Sequence, residues 1–548
     1  MKGRRIILLC VCIILMLTVV LAACDKKEAA QDNTPQPNKE TQSKDTEAEE
    51  TPEPESMYPE TLKIFCAMSE HISKGGATDY NDSYVFQELE KITGTRVEWN
   101  HPAAGADYDM ALNLLITSND LPDILTKWDW KDVSGGIASW VEDEVIIDLT
   151  DLVDENMPNY MSIINDLPNA KRDLMVDGKL YFINELSHMS PWRGPIIRGD
   201  WLEKLNMDIP ETVDELYDVL VAIRDGDLNE TGKQDVWAMS GQEFTNTMFG
   251  VGNLLWPFGS HYDFMLKDGK IVYGPMLPGF TEGMEFIHKL YSEELLDPDY
   301  SSQDRNALDG KFMNNLVGYE FGIQPSKMNN AMAETEFKAV GVPQLKKTQD
   351  SPAYGFGSEY NSYYNLIGAA VTTAAEDPAK ALAWMDYFFT EEGTILANYG
   401  IEDISFKIED GKKVQDFTKA LELNSHLDES TIKYFYTQTT HSTIPIRQSL
   451  DAYLTGANPY SAAAMKLWKE TTDTSHILPP YSLTDDESKL VNDKMVDIDT
   501  YMEVAFDKLV NGQTPISEIP DIQQKLVDLG INEILEVHQA AYDRYLGK

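Results

Sequence analysis

The stretch from Asp227 to Asp235, DLNETGKQD, places oxygen-bearing side chains at alternate positions: Asp227, Asn229, Thr231 and Asp235. Gly232 permits a sharp bend, and Lys233 falls where a calcium loop uses a backbone carbonyl. A hard cation wants several oxygens converging as a loop curls, and this spacing follows the first nine positions of an EF-hand loop. The twelfth position, where a bidentate Glu belongs, is Ala238, and Asp225 is the nearest substitute. Two readings stay open: a structural Ca2+ site, or a polar Asx-rich turn after a helix. No catalytic cofactor is expected. The chain has no Gly-rich phosphate loop, no H-E-x-x-H, no G-x-S-x-G and only singly scattered histidines.

A second reactive position is Cys24. Lys2, Arg4 and Arg5 precede an apolar run from Ile6 to Ala23, the charged start and apolar middle of an export signal. Leu21-Ala22-Ala23-Cys24 resembles the lipobox of bacterial lipoproteins, whose cysteine is acylated after cleavage just before it. Cys24 is therefore expected to carry lipid, with 1–23 as the signal peptide. Several acyl chains on one residue give stable membrane attachment where one would not. Residues 24–57 are rich in Glu, Gln, Pro and Thr and poor in apolar side chains, the composition of a disordered acidic tether.

The 548 residues carry a formal net charge of −46, and losing the leader's three cations makes the remainder more acidic still. Such a surface excludes nucleic acid as a partner, since phosphate binding needs clustered Lys and Arg. Cys10 and Cys12 leave with the leader, so Cys66 is the one thiol left after Cys24, and neither an intramolecular disulfide nor a cysteine-based zinc site can form.

The elements that position these residues alternate in period. TLKIFCAM, RVEWN and PDILTKW read as strands. DSYVFQELEKITG, with Val85, Leu89 and Ile92 on one face, and DYDMALNLLITSND read as the helices between them. That order predicts an α/β layer with a largely parallel sheet. A second such unit is expected to start near Tyr181, with Thr212 and Glu215 boxing the helix VDELYDVLVAI. YNLIGAAVTTAA is strand-like, Asp377 and Pro378 start a further helix, and the C-terminal region is helix-rich.

NDLPDIL, IIRGDWLEKLNMDIPETVDEL, DLNETGKQD, EFIHKLYSEELLDPDY and YFFTEEGTILANYGIEDISFKIEDGKKV stand in an order and spacing that resemble the family 1 extracellular solute-binding lipoproteins of bacterial carbohydrate ABC importers. The resemblance implies a two-lobed, periplasmic-binding-protein-like (type II) α/β fold with an interlobe cleft and a helix-rich C-terminal region. Lobe 1 is expected at 58–185 plus 366–445, and lobe 2 at 186–365 plus 446–548. It implies a monomer, lipid-anchored on the extracytoplasmic face of the cell membrane, that captures a carbohydrate for an ABC permease without catalysis. The family's common acidic residue after the metal loop is Val236 here.

A sugar site combines aromatic platforms for apolar C–H faces with hydrogen-bonding rims. Three clusters offer both: Trp128, Asp129 and Trp130 after the third strand; Trp192 and Arg193 at the crossover; Glu359, Tyr360, Tyr363 and Tyr364 before the return strand. Trp256 is a fourth candidate, whereas Trp201 and Trp384 lie on amphipathic helices and are expected in the core. Two further classes share parts of this pattern: a surface-anchored polysaccharide-degrading enzyme, and a ligand-sensing receptor of the same fold.

Overall fold

The computed structural model describes 56–102, 106–128, 130, 137–167, 169–176, 178–186, 191–246, 248–323, 325–355, 364–438 and 443–547, with the side chains of 128, 138, 364–366 and 485 left aside. These residues belong to the compact unit Ser56–Lys548. Their strands, in chain order, are β1 Thr61–Phe65, β2 Arg96–Asn100, β3 Ile124–Trp128, β4 Ile183–Leu186, β5 Arg193–Arg198, β6 Trp237–Met239 and β7 Phe264–Lys267. There follow β8 Lys270–Tyr273, β9 Val317–Ile323, β10 Ala339–Gly341, β11 Tyr364–Val371, β12 Phe406–Glu409 and β13 Lys412–Gln415.

Two principal sheets form, in the orders β2-β1-β3-β11-β4 and β10-β5-β9-β6, while β7-β8 and β12-β13 are hairpins. In the first, β1 runs parallel to β2 and β3, and β11 returns antiparallel between β3 and β4. Neighbouring residues on these strands face opposite ways. Ile64, Ile124 and Ala369 pack with Val85, Leu89, Trp384 and Phe388, while Phe65, Leu125 and Ala370 pack with Trp130 and Trp140 on the other side. A sheet covered on both faces needs apolar residues at consecutive positions, which is why TLKIF and ILTKW read as near-continuous runs. The second sheet repeats the device. Ile197, Tyr319 and Phe321 join a core completed by Ile498, Phe506, Leu526 and Ile534 of the C-terminal helices, and Ile196 packs with Trp468 on the opposite face.

The two mixed sheets fit the two-lobed α/β architecture expected, but the second is mostly antiparallel rather than largely parallel, because β5 pairs antiparallel with both β10 and β9. The strand LYFINEL differs from expectation: β4 closes the first sheet, and the second begins only at Arg193. Pairing with the returning β11 decides this, and β11 is distant in sequence. In the helix Tyr84–Thr93, Phe86 and Thr93 join Val85 and Leu89 in the buried face, which turns Ile92 to the rim, 47% exposed. The helix Val213–Asp225 has its capping box, with Glu215 N donating to Thr212 Oγ1 and Thr212 N to Glu215 Oε2. Asp377 caps the helix Pro378–Asp386 by accepting from Lys380 N. Trp201, Trp384 and Cys66 are buried. Among the described residues, no helix is long and apolar enough to cross a membrane.

Candidate functional site

Strand direction brings the candidate residues to one end of each sheet. β1 and β3 are parallel with Phe65 opposite Leu125, so β3 runs on past the end of β1 to Trp128 in the same direction. The antiparallel β11 starts at that same end, with Tyr364 in register with Leu186, the last residue of β4. In the second sheet β6 and β9 are parallel and end at Met239 and Ile323, and β5 begins opposite Ile323 at Arg193. The chain from Leu186 to Arg193 can span at most about 25 Å, so the two strand-end surfaces are held near one another. Open α/β sheets bind ligands beyond such carboxyl ends.

The backbones of Trp128 and Tyr364 lie at the first of these ends; their side chains, and all of Asp129, Glu359, Tyr360 and Tyr363, lie outside the described residues. Trp192 is half-buried, with the buried Arg193 guanidinium 5.2 Å from its ring centroid. Trp130 is 3% exposed, stacked 5.6 Å from Phe182 and edge-on to Trp140, and packs in the core against Gly368. Trp256 is 5% exposed and stacks on His261 at 4.0 Å.

Around Trp256 the fold assembles groups that sequence reading did not connect. The ring of His476 approaches Trp256 to 4.4 Å, and the ring of Tyr262 lies 3.9 Å from His261. Among the described residues, Trp256 Nε1, His261 Nε2, the Tyr262 hydroxyl and Gln344 Nε2 are buried without a hydrogen-bond partner. An unsatisfied buried polar atom costs about 1–3 kcal/mol, so their concentration in one region calls for a partner. His476 Nε2 lies 2.6 Å from Gly355 O, which requires the proton on Nε2. Burial pushes the His476 imidazole down to about 4, and burial together with His476 lowers His261 well below the usual histidine range. Burial raises Tyr262, which feels opposite charges from Asp263 and Arg193. No local spacing could have revealed this group, because Trp256 and His261 are near in sequence while Gln344 and His476 arrive from distant loops.

A second network stands beside the end of β9. Arg305 Nη2 donates to Glu320 Oε1 at 2.7 Å, Nη1 donates to Phe321 O at 3.1 Å, and the guanidinium lies 4.5 Å from the Phe249 centroid. Asp309 pairs with Arg305 and accepts from Lys327 Nζ at 2.9 Å. Burial pushes Glu320 up to about 7 against the lowering effect of Arg305. The cation is compensated within the protein.

The loop after the helix Val213–Asp225 curls as its sequence suggests. Asp227 accepts from Thr231 N and Gly232 N, each at 3.0 Å, and Glu230 and Gly232 have φ of 59° and 70°. Asn229 Nδ2 and Thr231 Oγ1 donate to Asp235 Oδ1 at 2.8 and 3.1 Å. The hydrogen bond from Asn229 holds Asp235 below the usual carboxylate range. Two carboxylates with amide, hydroxyl and backbone oxygens suit a hard cation. Asp225, the expected substitute ligand, is instead bonded by Arg224 Nε at 2.8 Å, and Ala238 is buried in β6. Among the described residues, no group of three or more His, Cys, Asp or Glu is arranged to hold a metal.

No protein-family model matches the chain. A fructooligosaccharide ABC transporter substrate-binding protein of Streptococcus pneumoniae, FusA, is 24% identical over 519 residues, 88% of this chain and 90% of the relative. Lipoprotein LipO of Bacillus subtilis is 23% identical over 64% of this chain and 68% of its own. The polygalacturonan/rhamnogalacturonan-binding protein YtcQ of that organism is 24% identical over 59% of this chain and 63% of its own. Among solved structures, FusA in complex with kestose has a TM-score of 0.67 at 22% identity, covering 89% of this chain and 99% of that one. An EF-hand mutant of FusA with fructo-nystose gives 0.66 at 22% identity over the same shares. The fold is that of the solute-binding proteins, and of these three relatives one is named as an ABC transporter substrate-binding protein, one as a polysaccharide-binding protein and one as a lipoprotein.

Proposed function

We propose, from this descent among substrate-binding proteins of ABC importers, that the chain captures a carbohydrate between two lobes and hands it unchanged to a permease. The observation that carries the reading is the match to FusA along 88% of this chain and 90% of the relative. The strand ends support it: Trp128, Trp192, Arg193 and Tyr364 fall at the ends where a solute of such sheets rests. Lobe 1 is assigned to 58–185 plus 366–445 around the first sheet, and lobe 2 to 186–365 plus 446–548 around the second.

The same reading assigns 1–23 to a signal peptide, Cys24 to lipidation and 24–57 to a tether, all of them outside the described residues except Ser56 and Met57. The name of LipO supports an anchored protein on the extracytoplasmic face. A monomer fits a receptor that presents its cargo to a permease. Asp227, Asn229, Thr231, the Lys233 carbonyl and Asp235 would hold a structural Ca2+, a reading supported by the curled loop and by the EF-hand of FusA. A bound ion would pin the loop ahead of β6 and takes no part in chemistry.

The deciding experiment is a thermal-shift screen of the full chain in detergent against oligosaccharides and peptides, followed by chromatography of the recovered sugar. Saturable stabilisation with the sugar intact is expected. Cleavage of the sugar, or stabilisation by peptides alone, would overturn the proposal.

A further inference from the structure

The helix Ile531–Tyr545 begins in one body and ends against the other. Ile531 and Ile534 pack into the apolar cluster of the second sheet. In its last turn, Arg544 donates to Glu487 of the helix Asp485–Val510 at 2.8 and 2.5 Å, which fixes that turn within the second body. The next residue, Tyr545, meets the first body instead. Arg172 Nη2 donates to its hydroxyl at 2.7 Å, the guanidinium lies 4.0 Å from its ring centroid, and the hydroxyl donates to Asp173. Arg172 and Asp173 sit on the helix Ala170–Leu174, mounted on the first sheet's cluster through the buried Ala170 and Leu174.

The segments that lead from one sheet to the other meet elsewhere, at Leu186. Its N donates to Ile446 O at 2.9 Å, Gln448 N donates to its O at 2.7 Å, and Tyr364 lies in register with it. None of Arg172, Asp173 and Tyr545 belongs to that bundle. For each ~10 Å from a pivot, a turn of about 15° displaces a group by about 2.6 Å, more than a hydrogen bond tolerates. A turn about Leu186 would therefore keep the Tyr545 contact in one orientation of the bodies and break it in another. Arg172 is exposed, and Asp173 and Tyr545 are half-buried. A contact of that kind is worth roughly five- to thirtyfold in an equilibrium, enough to weight two orientations without freezing either. We propose that Arg172, Asp173 and Tyr545 form a latch between the two bodies that selects one orientation and thereby sets the affinity for the solute. The inference rests on the two-lobed capture reading and adds to it a contact that tunes capture.

Spin–spin distance measurements on the full chain in detergent test it. Nitroxide-bearing residues replace Lys91 on the first body and Lys466 on the second, where both side chains are 71% exposed. Kestose, maltotriose, xylotriose and trigalacturonate serve as solutes, with affinity read by calorimetry. Arg172→Ala and Tyr545→Phe should each shift the distances of the free protein and change sugar affinity by roughly five- to thirtyfold. The two readouts are linked: a variant displaced towards the sugar-bound distance must bind more tightly, and one displaced away from it more weakly. A shift in distance with an affinity change of the matching sign sustains the latch. Wild-type distances in both variants, unchanged affinity, or a mismatch of sign overturns it and leaves capture standing, whatever happens to Tm. Failure of all four sugars to bind the wild type or to move its distances overturns the capture reading. The latch then stands or falls on the distances of the free protein.

Discussion

At the scale of single residues, the buried histidines give the protein a defined response to acid. His476 is held down to about 4 by burial, and His261 lies well below its ordinary value. Above the usual histidine value of about 6.5, neither state is protonated and no penalty exists. As pH falls below it, the unfolded chain takes up protons that the folded chain refuses, so stability declines until about pH 4 for His476. The expected loss from His476 is on the order of 2–3 kcal/mol across that window. His476→Gln keeps a donor for Gly355 O and removes the titration, so its Tm should fall less steeply between pH 6.5 and 4 than the wild type's. Parallel Tm-versus-pH curves for the two proteins would refute the assignment. These residues were unreadable in the sequence, because Trp256 and His476 meet only once the β6 segment and the strap before the Asp485–Val510 helix are folded together.

At the scale of elements, contacts that the sequence hides decide where a glycine must stand. Trp468 of the helix Pro459–Thr471 lies flat on the second sheet, its Nε1 donating to Val342 O at 2.8 Å. A Cβ on Gly194 would stand 2.4 Å from Trp468 Cε2, inside any permitted contact. Gly194→Ala should therefore cost about 1–3 kcal/mol through displacement of a fully buried indole, readable as a lower urea midpoint with an unchanged m-value. A wild-type midpoint would show that the helix yields freely. Trp192 and Arg193 stand out in the sequence as candidates, whereas Gly194 does not, since only tertiary packing gives it meaning. By contrast, the capping box at Thr212 is legible in the sequence, because it is settled within a few residues. The metal loop is an intermediate case. Its curl followed from spacing, but the pairing of Asp225 with Arg224 did not. If the loop holds Ca2+, chelation should lower Tm by a few degrees and Asp227→Ala should abolish that sensitivity. Identical melting with and without chelator would remove the metal assignment.

At the scale of the whole molecule, the two sheets pack into different apolar clusters, and elements of the chain bridge them. The helix Leu450–Gly456 touches both: Ala452 packs with Tyr399 and Phe406, while Leu450, Tyr453 and Leu454 lean on the core of Ile196 and Trp468. At the C-terminus, Tyr545 accepts a hydrogen bond from Arg172 Nη2 at 2.7 Å, donates to Asp173, and has the guanidinium 4.0 Å over its ring. If the two bodies rotate about their crossovers, a solute that touches both must favour one relative orientation. A sugar bound only by that orientation stabilises the folded state by RT ln(1 + [L]/Kd), about 2.7 kcal/mol at a hundredfold excess over Kd. Two readouts should therefore move together. Saturating oligosaccharide should raise Tm, and X-ray scattering should record a smaller radius of gyration than in the free protein. A raised Tm with an unchanged radius would mean that the sugar is held by one body alone. The aromatic residues at the end of the first sheet, Trp128 and Tyr364 among them, would then have no part in capture, and their alanine variants would bind like the wild type.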